Sequence, residues 1–186
     1  MTASSNRQIV VCPLSRLAQT AEQYRPARML SLVSEGTLVE RPQHLTDADH
    51  LTLSFNDITS PTPGLVFASD EHMTALLEFI RDWYETGSQT GPLLVHCWAG
   101  VSRSTAGAYI VANLLNPDKD EETLAQMLRN RSPSATPNAH LVRLADGRLG
   151  RNGRMIRAIE RIGRGADCFE GEVFTLPAGD PDGTSC

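Results

Sequence analysis

Short apolar runs recur along the first half of the chain at the spacing expected for strands of one sheet. Residues 8–12, 28–33 and 92–96 are apolar with little alternation, which is typical of strands buried on both faces. Residues 50–55 alternate apolar and polar side chains, as a half-buried strand does. The pattern therefore predicts four strands.

Between and after these runs, apolar side chains recur every three or four residues, which indicates amphipathic helices. The predicted helices cover residues 15–23, 70–86, a segment ending near 115, residues 121–131, a segment around 141–149 and residues 155–162. Because strands and helices alternate, we expect a single α/β domain whose central, mainly parallel sheet is flanked by helices on both faces.

The domain is expected to span residues 1–164, and residues 165–186 form an acidic tail rich in glycine and proline. We expect this tail to be partly docked through its apolar side chains and disordered from Pro177 onward. The docking side chains would be Phe169, Val173 and Phe174. No internal repeat or second domain is indicated.

The composition changes this picture little. A hydrophobic fraction of 40% and a net charge of −5 suit an ordinary globular domain and give no footprint for nucleic acid or an acidic membrane. The four cysteines form no C-x-x-C pair, so neither zinc nor a disulfide framework is indicated. Without an apolar signal segment or membrane-length run, we expect a cytoplasmic protein. The single lysine, Lys119, hints at a GC-rich bacterial gene.

Reactive residues concentrate where the fourth predicted strand meets the next helix. His96 and Cys97 end the strand, and Arg103 and Ser104 begin the helix. The unpaired N–H groups of a helix N-terminus favour both a thiolate and a bound phosphate. Cys97 is thus a candidate nucleophile, and the paired donors of Arg103 match two phosphoryl oxygens.

Three neighbours suit the same chemistry. Gly100 permits a positive φ and a close approach of backbone to ligand. The hydroxyl of Ser104 can hydrogen-bond the cysteine sulfur. His96 is expected to brace the loop through a hydrogen bond, not to transfer protons.

The segment His96-Cys97-Trp98-Ala99-Gly100-Val101-Ser102-Arg103-Ser104 resembles the signature His-Cys-x-x-Gly-x-Ser-Arg-Ser of the dual-specificity branch of the cysteine-dependent protein tyrosine phosphatases. The resemblance extends more loosely from about residue 8 to about residue 150. It implies that phosphate monoesters are hydrolysed through a phosphocysteine intermediate, without a metal or other cofactor. The loop residues that it implies for phosphate binding are Trp98, Ala99, Gly100, Val101, Ser102 and Arg103.

The resemblance also implies an aspartate that protonates the leaving oxygen. Asp57 directly follows the third predicted strand and lies 40 residues before Cys97, slightly farther than in typical relatives. An insertion at residues 60–64 would account for the difference. Asp70 is the alternative, although Ser69-Asp70-Glu71 is typical of a helix start.

Asn138 has two interpretations of equal weight. The resemblance implies that an asparagine after a proline supports the active loop, whereas the local pattern predicts a plain helix N-cap.

Residues outside these motifs are expected to have structural roles. We expect Cys12 to be a core residue, not a redox partner of Cys97, and His72 and His140 to lie at the surface. The arginines of the last helix are expected to form a solvated face.

The sequence thus predicts a phosphatase that acts on a phosphorylated protein or a small phosphate monoester, with no nucleic-acid or membrane partner. The alternatives are a catalytically inactive module that binds phosphate or phosphoprotein and a redox-sensing protein that uses the same loop. The sequence leaves the physiological substrate and the oligomeric state open.

Overall fold

Five strands form one sheet at the centre of the computed structural model, which describes residues 7–85 and 91–179. In chain order the strands are β1 (Gln8–Pro13), β2 (Arg28–Val33), β3 (His50–Ser54), β4 (Leu93–Cys97) and β5 (Phe174–Pro177). They lie in the order β3-β2-β4-β1-β5. All neighbours are parallel except β5, which runs antiparallel to β1. The predicted α/β fold with a mainly parallel sheet is confirmed.

Helices cover both faces of this sheet, as predicted. They are α1 (Leu17–Tyr24), α2 (Asp70–Glu85), α3 (Arg103–Leu115), α4 (Glu121–Arg131), α5 (Ala139–Arg148) and α6 (Arg154–Ile162). The helix α1 packs on one face with a small apolar cluster, and the larger core on the opposite face includes side chains from α2 to α6. Within residues 7–85 and 91–179, no helix has the length and apolar character needed to cross a membrane.

The parallel strands bring their carboxyl ends to one edge of the sheet. Pro13 of β1 lies beside Cys97 of β4, and Ser31 of β2 lies beside His96. In open α/β sheets, ligands bind outside this edge. The register thus places Cys97 at the centre of the expected site.

The helix α3 follows Cys97 directly and lies close to the sheet. A Cβ atom at Gly107 would lie 2.9 Å from Leu32 Cδ1 and 3.2 Å from Val95 Cγ1, so a larger side chain would push the helix outward. Eleven consecutive residues of α3, Arg103–Asn113, are buried. The position of its N-terminus is therefore fixed by core packing.

The strand β5 was not predicted. Residues 174–177 pair with β1 at the edge of the sheet, Phe174 is 6% exposed, and Ala178 N donates to Arg7 O at 3.0 Å. The expected disorder from Pro177 is thus wrong for residues 177–179, and residues 180–186 lie outside the described residues. Phe169, which was expected to dock, is 94% exposed.

Both histidines expected at the surface make specific contacts. His140 is 8% exposed, so that prediction is wrong. His72 is half-buried: its Nδ1 accepts from Ser69 N at 3.0 Å, and its ring contacts Phe55 edge-on at 5.2 Å. The sequence pattern of a helix does not reveal such a contact, because Phe55 lies outside the helix that carries His72.

The arginines on the outer side of α6 do not form an unpaired basic patch. Their ion pairs are Arg154 with Glu121, Arg161 with Glu122 and Arg164 with Asp167. These three arginines therefore have acidic partners, while the exposed Arg157 donates from its Nη2 to Asn152 O at 3.3 Å, in agreement with a solvated face.

One ion pair is buried and joins the ends of three helices. Arg151 donates to Glu121 Oε1 at 3.2 Å, to Pro117 O at 2.8 Å and to Asn113 O at 2.9 Å. The side chains of Arg151 and Glu121 are 9% and 5% exposed. Because both charges are shielded from water, Arg151 depends on Glu121 for compensation, and Glu121 depends on Arg151 and on the half-exposed Arg154.

We predict that Arg151→Ala lowers the free energy of unfolding by up to about 3–5 kcal/mol, because it removes the buried partner of the Glu121 carboxylate and leaves only the half-exposed Arg154 beside it. Arg161→Ala, which breaks an exposed ion pair, should change it by less than about 1 kcal/mol. Urea unfolding of the two variants tests the difference. Equal effects would mean that the Arg151 network adds nothing beyond a surface pair.

Candidate active site

The last residue of β4 and the first residues of α3 meet around a five-residue loop, residues 98–102. Cys97 is 2% exposed and Arg103 is 5% exposed. The Cys97 thiol donates to Ser104 Oγ at 3.1 Å, and Cys97 Sγ accepts from Gly100 N at 3.2 Å. The sulfur is therefore held between a hydroxyl and a backbone amide.

Backbone amides from outside the loop donate to four of its carbonyls. Leu14 N donates to Trp98 O at 3.1 Å, and Gly171 N donates to Ala99 O at 2.8 Å. Thr136 N donates to Val101 O at 2.9 Å, and Asn138 N donates to Ser102 O at 3.3 Å. Carbonyls held outward in a tight loop turn the amides of the same peptide groups toward the inside. The loop thus has the geometry of an anion-binding nest at a helix N-terminus.

Only glycine fits the loop at position 100. The φ of Gly100 is +70°, and a Cβ atom there would lie 2.8 Å from Pro13 N. A side chain would therefore be strained by its own backbone and would collide with β1. The predicted need for glycine at this position agrees with both observations.

The guanidinium of Arg103 is oriented by the ends of neighbouring strands. Its Nη1 donates to Phe55 O at 2.8 Å and to Ser34 Oγ at 3.2 Å. Its buried Nε has no hydrogen-bond partner among the described residues and lies 3.8 Å from Asp57 Oδ2. The two hydrogen bonds of Nη1 thus fix the orientation of the guanidinium, and its Nε–H remains available to donate to a bound oxyanion.

Asp57 lies against the loop. Its Oδ1 accepts from Ser102 Oγ at 2.7 Å and from Asn138 Nδ2 at 2.8 Å. Asp70 begins α2 instead, where Arg148 Nε donates to its Oδ1 at 3.1 Å. Of the two candidate acids, Asp57 is the one that contacts the loop, through Ser102, and its Oδ2 lies 3.8 Å from Arg103 Nε.

Both interpretations of Asn138 agree with its contacts. Its Oδ1 accepts from His140 N and Leu141 N, which caps α5, and its Nδ2 donates to Asp57 Oδ1 and to Ile58 O. The residue is 4% exposed. A single side chain thus begins the helix and holds the aspartate.

A chain of hydrogen-bonded side chains lies beneath the loop. Ser31 Oγ lies 2.6 Å from His96 Nε2 and 2.8 Å from His50 Nε2. Burial lowers the pKa of His96 to about 4, and the nearby charges of His50 and Arg103 act in the same direction. His96 is therefore neutral near pH 7, which suits a bracing role. Sequence reasoning missed Ser31 and His50, since only the strand register brings them to His96.

Cys12 and Cys97 lie on opposite faces of the sheet. Cys12 packs in the apolar cluster beside α1, whereas Cys97 packs in the larger core on the other face. Burial raises the pKa of the Cys12 thiol to about 12, so it stays protonated. The expectation that Cys12 is a core residue agrees with this placement.

Metal binding is not apparent in the described residues. Within residues 7–85 and 91–179, no three His, Cys, Asp or Glu side chains are grouped closely enough to hold a metal ion.

Several solved phosphatase structures share this fold. The Cydia pomonella PTP-2 phosphatase has a TM-score of 0.59 and 24% identity, with 77% of this chain and 86% of that chain covered. The Yvh1 phosphatase domain from Chaetomium thermophilum has a TM-score of 0.56 and 19% identity, with 79% and 93% covered. The human tyrosine phosphatase-like serine/threonine/tyrosine-interacting protein has a TM-score of 0.56 and 18% identity, with 77% and 92% covered.

No family model matches the sequence, and no curated protein matches it. The structural likeness shows the fold, which this chain shares with these phosphatase and phosphatase-like structures.

We predict that the buried, neutral state of His96 lowers the free energy of unfolding as the pH falls from 6.5 to 4. Because its pKa is about 4 when folded and 6.5 ordinarily, the unfolded chain binds the extra proton in this range. The loss attributable to His96 should be on the order of 3 kcal/mol at the acidic end. Urea unfolding at pH 7 and pH 4.5 should show a smaller pH dependence for His96→Asn than for the parent. An identical pH dependence would contradict the prediction.

Proposed function

We propose that the protein is a cysteine-dependent phosphatase of the protein tyrosine and dual-specificity type, which hydrolyses phosphate monoesters. The observation that carries the proposal is the convergence of a sulfur, a guanidinium and a carboxylate on one loop. Cys97 lies at its base, Arg103 at its end, and Asp57 is hydrogen-bonded to its Ser102. A nucleophile, an oxyanion clamp and a proton donor are the parts that phosphoryl transfer needs.

The first step forms a phosphocysteine. The Cys97 thiolate attacks phosphorus in line with the ester oxygen, the P–S bond forms and the P–O bond breaks. Asp57 gives its proton to the departing oxygen, which leaves as an alcohol or phenol. The inward amides of residues 98–103 and the Arg103 guanidinium stabilise the negative charge on the three equatorial oxygens.

The second step releases phosphate. Asp57, now a carboxylate, takes a proton from water as the water oxygen attacks phosphorus. The P–S bond breaks, and the sulfur leaves as a thiolate. Ser104 Oγ, 3.1 Å from Cys97 Sγ, then donates a hydrogen bond to this thiolate and stabilises it. The products are inorganic phosphate and the enzyme in its starting state.

The substrate that we propose is a phosphorylated protein or a small phosphate monoester. The loop side chains Trp98, Ala99 and Val101 are uncharged, so the loop offers no extra cation for a second phosphate. This argues for monophosphorylated substrates over polyphosphorylated lipids or RNA ends. Because the proposed nucleophile must remain a reduced thiol, we propose a reducing compartment such as the cytoplasm.

A second candidate function is phosphate binding without turnover. One of the structures that share the fold is described as a tyrosine phosphatase-like interacting protein. A chain with this second function would keep the anion-binding loop and lack hydrolysis. A redox-sensing protein using Cys97 is a further alternative. Steady turnover of an aryl phosphate separates a catalyst from both.

We predict that Cys97→Ser abolishes turnover and retains phosphate binding, because the amides and Arg103 that hold the anion remain. The rate should be measured with an aryl phosphate, and the affinity for inorganic phosphate by calorimetry. Cys12→Ser, a change to the buried thiol on the other face, should leave the chemistry of turnover intact. Hydrolysis by Cys97→Ser at a rate comparable to the parent's would rule out Cys97 as the nucleophile.

We predict that Asp57→Asn slows hydrolysis of an alkyl phosphate by roughly 10²–10⁴-fold, since a poor leaving group needs a proton. An aryl phosphate with an acidic phenol leaves without this help and should be affected far less. The basic limb of the pH–rate profile should also flatten, because this limb reports loss of the acid's proton.

Asp70→Asn is the matched control for this assignment. It removes a carboxylate from the first turn of α2 and should change stability more than rate. If Asp57→Asn slowed both substrates equally and left the pH profile unchanged, Asp57 would have a structural role.

A further inference from the structure

We propose that His140 is a positioning residue for the general acid, because it anchors the far end of the loop that carries Asp57. This inference rests on the proposed function. The acid loop is defined as residues 56–69, which follow β3 and Phe55 and end where α2 begins. Asp57 stands at its beginning, and the contacts of His140 lie at its end.

The two ends of the acid loop are joined to each other. Asn56 N donates to Val66 O at 2.8 Å, and Val66 N donates to Asn56 Oδ1 at 2.8 Å. Residues 59–66 between them are all exposed. Since the middle of the loop has no packing to hold it, its position depends on contacts at the ends. A displacement near Val66 would therefore be transmitted to Asn56 and to the adjacent Asp57.

His140 fixes the second end through two different contacts. Its Nε2 donates to Ala68 O at 2.8 Å, and its ring is stacked on Phe67 with centroids 3.7 Å apart and planes 17° apart. A carbonyl oxygen only accepts, so Nε2 must carry the hydrogen. The hydrogen bond sets the distance of the loop from α5, and the stacked rings set its orientation.

Both anchors of the acid loop stand on the first turn of one helix. Asn138 caps α5 and holds Asp57, while His140 lies two residues later and donates its own N–H to Asn138 Oδ1. The helix α5 packs on α3, which begins at Arg103. The acid loop is thus anchored on α5, which packs against the helix that positions the phosphate-binding Arg103.

Such a second anchor matters because Asp57 is not held by burial. Its side chain is 36% exposed, compared with 6% for Arg103. A general acid must lie within hydrogen-bond reach of the leaving oxygen, and a displacement of about 1 Å can cost 10²-fold in rate. We therefore expect His140 to affect catalysis specifically through proton delivery.

The decisive experiment compares leaving groups in His140→Phe and Phe67→Ala. The first variant keeps an aromatic ring and removes the Nε2–H donor, and the second removes the stacking partner. Each should slow an alkyl phosphate about tenfold or more and an activated aryl phosphate by less than about threefold. In an Asp57→Asn background, neither change should slow the alkyl phosphate further, because the group they position is already disabled.

His44→Phe is the matched control. His44 Nε2 contacts the backbone carbonyl of Pro26 at 3.0 Å, the same kind of hydrogen bond, near the amino end of β2 and away from the acid loop. Both substrates should be cleaved by this variant at the parent's rates. Thermal unfolding of every variant separates loss of folded protein from loss of activity, and if His140→Phe does not fold, Phe67→Ala decides the question by the same criteria.

Two outcomes would overturn the inference and leave the proposed function intact. One is that both substrates are slowed equally by the variants while Asp57→Asn still discriminates between leaving groups. The other is that the effects of His140→Phe and Asp57→Asn multiply in the double variant. If Asp57→Asn itself did not discriminate between leaving groups, the assignment of the acid would fail, and the role of His140 with it.

Discussion

The outward direction of the loop carbonyls is the constraint on which the site depends. A loop of five residues can turn its amides toward an anion only if its carbonyls are satisfied elsewhere. Here the donors come from the turn after β1, from the segment before β5 and from the residues before α5. The geometry of the loop is therefore set by segments that are distant in sequence, and the strand β5 holds one of these donors, Gly171, beside the loop.

The charges of the site follow from the same arrangement. Arg103 is nearly buried, and its ion pair with Asp57 and its bond to Phe55 O compensate for lost water. The neutral state of His96 avoids a second buried positive charge next to Arg103. In the proposed mechanism, the Arg103 guanidinium therefore supplies the fixed positive charge for the phosphate, and the backbone amides of the loop supply the remaining stabilisation.

The sequence was sufficient for the features that depend on local pattern. The bounds of β2, α4 and the loop follow from apolar periodicity and from the cysteine-to-arginine spacing. It was insufficient for β5, whose four residues lie in a tail of low hydrophobicity and pair only because β1 leaves an edge open. It was also insufficient for Ser31 and His140, since strand register and loop contacts bring their partners to them.

The residues of the site are held by two different kinds of force, and this explains which of them were hard to assign. Cys97 and Arg103 are fixed by the packing of β4 and α3, which a local motif encodes almost completely. Asp57 is one-third exposed and is fixed by hydrogen bonds from Ser102 and Asn138, which are 45 and 81 residues away in sequence. An aspartate held in this way resembles any surface carboxylate until the fold is known. The middle of the acid loop, residues 59–66, is exposed, whereas its two ends contact Asn138 and His140 at the start of α5.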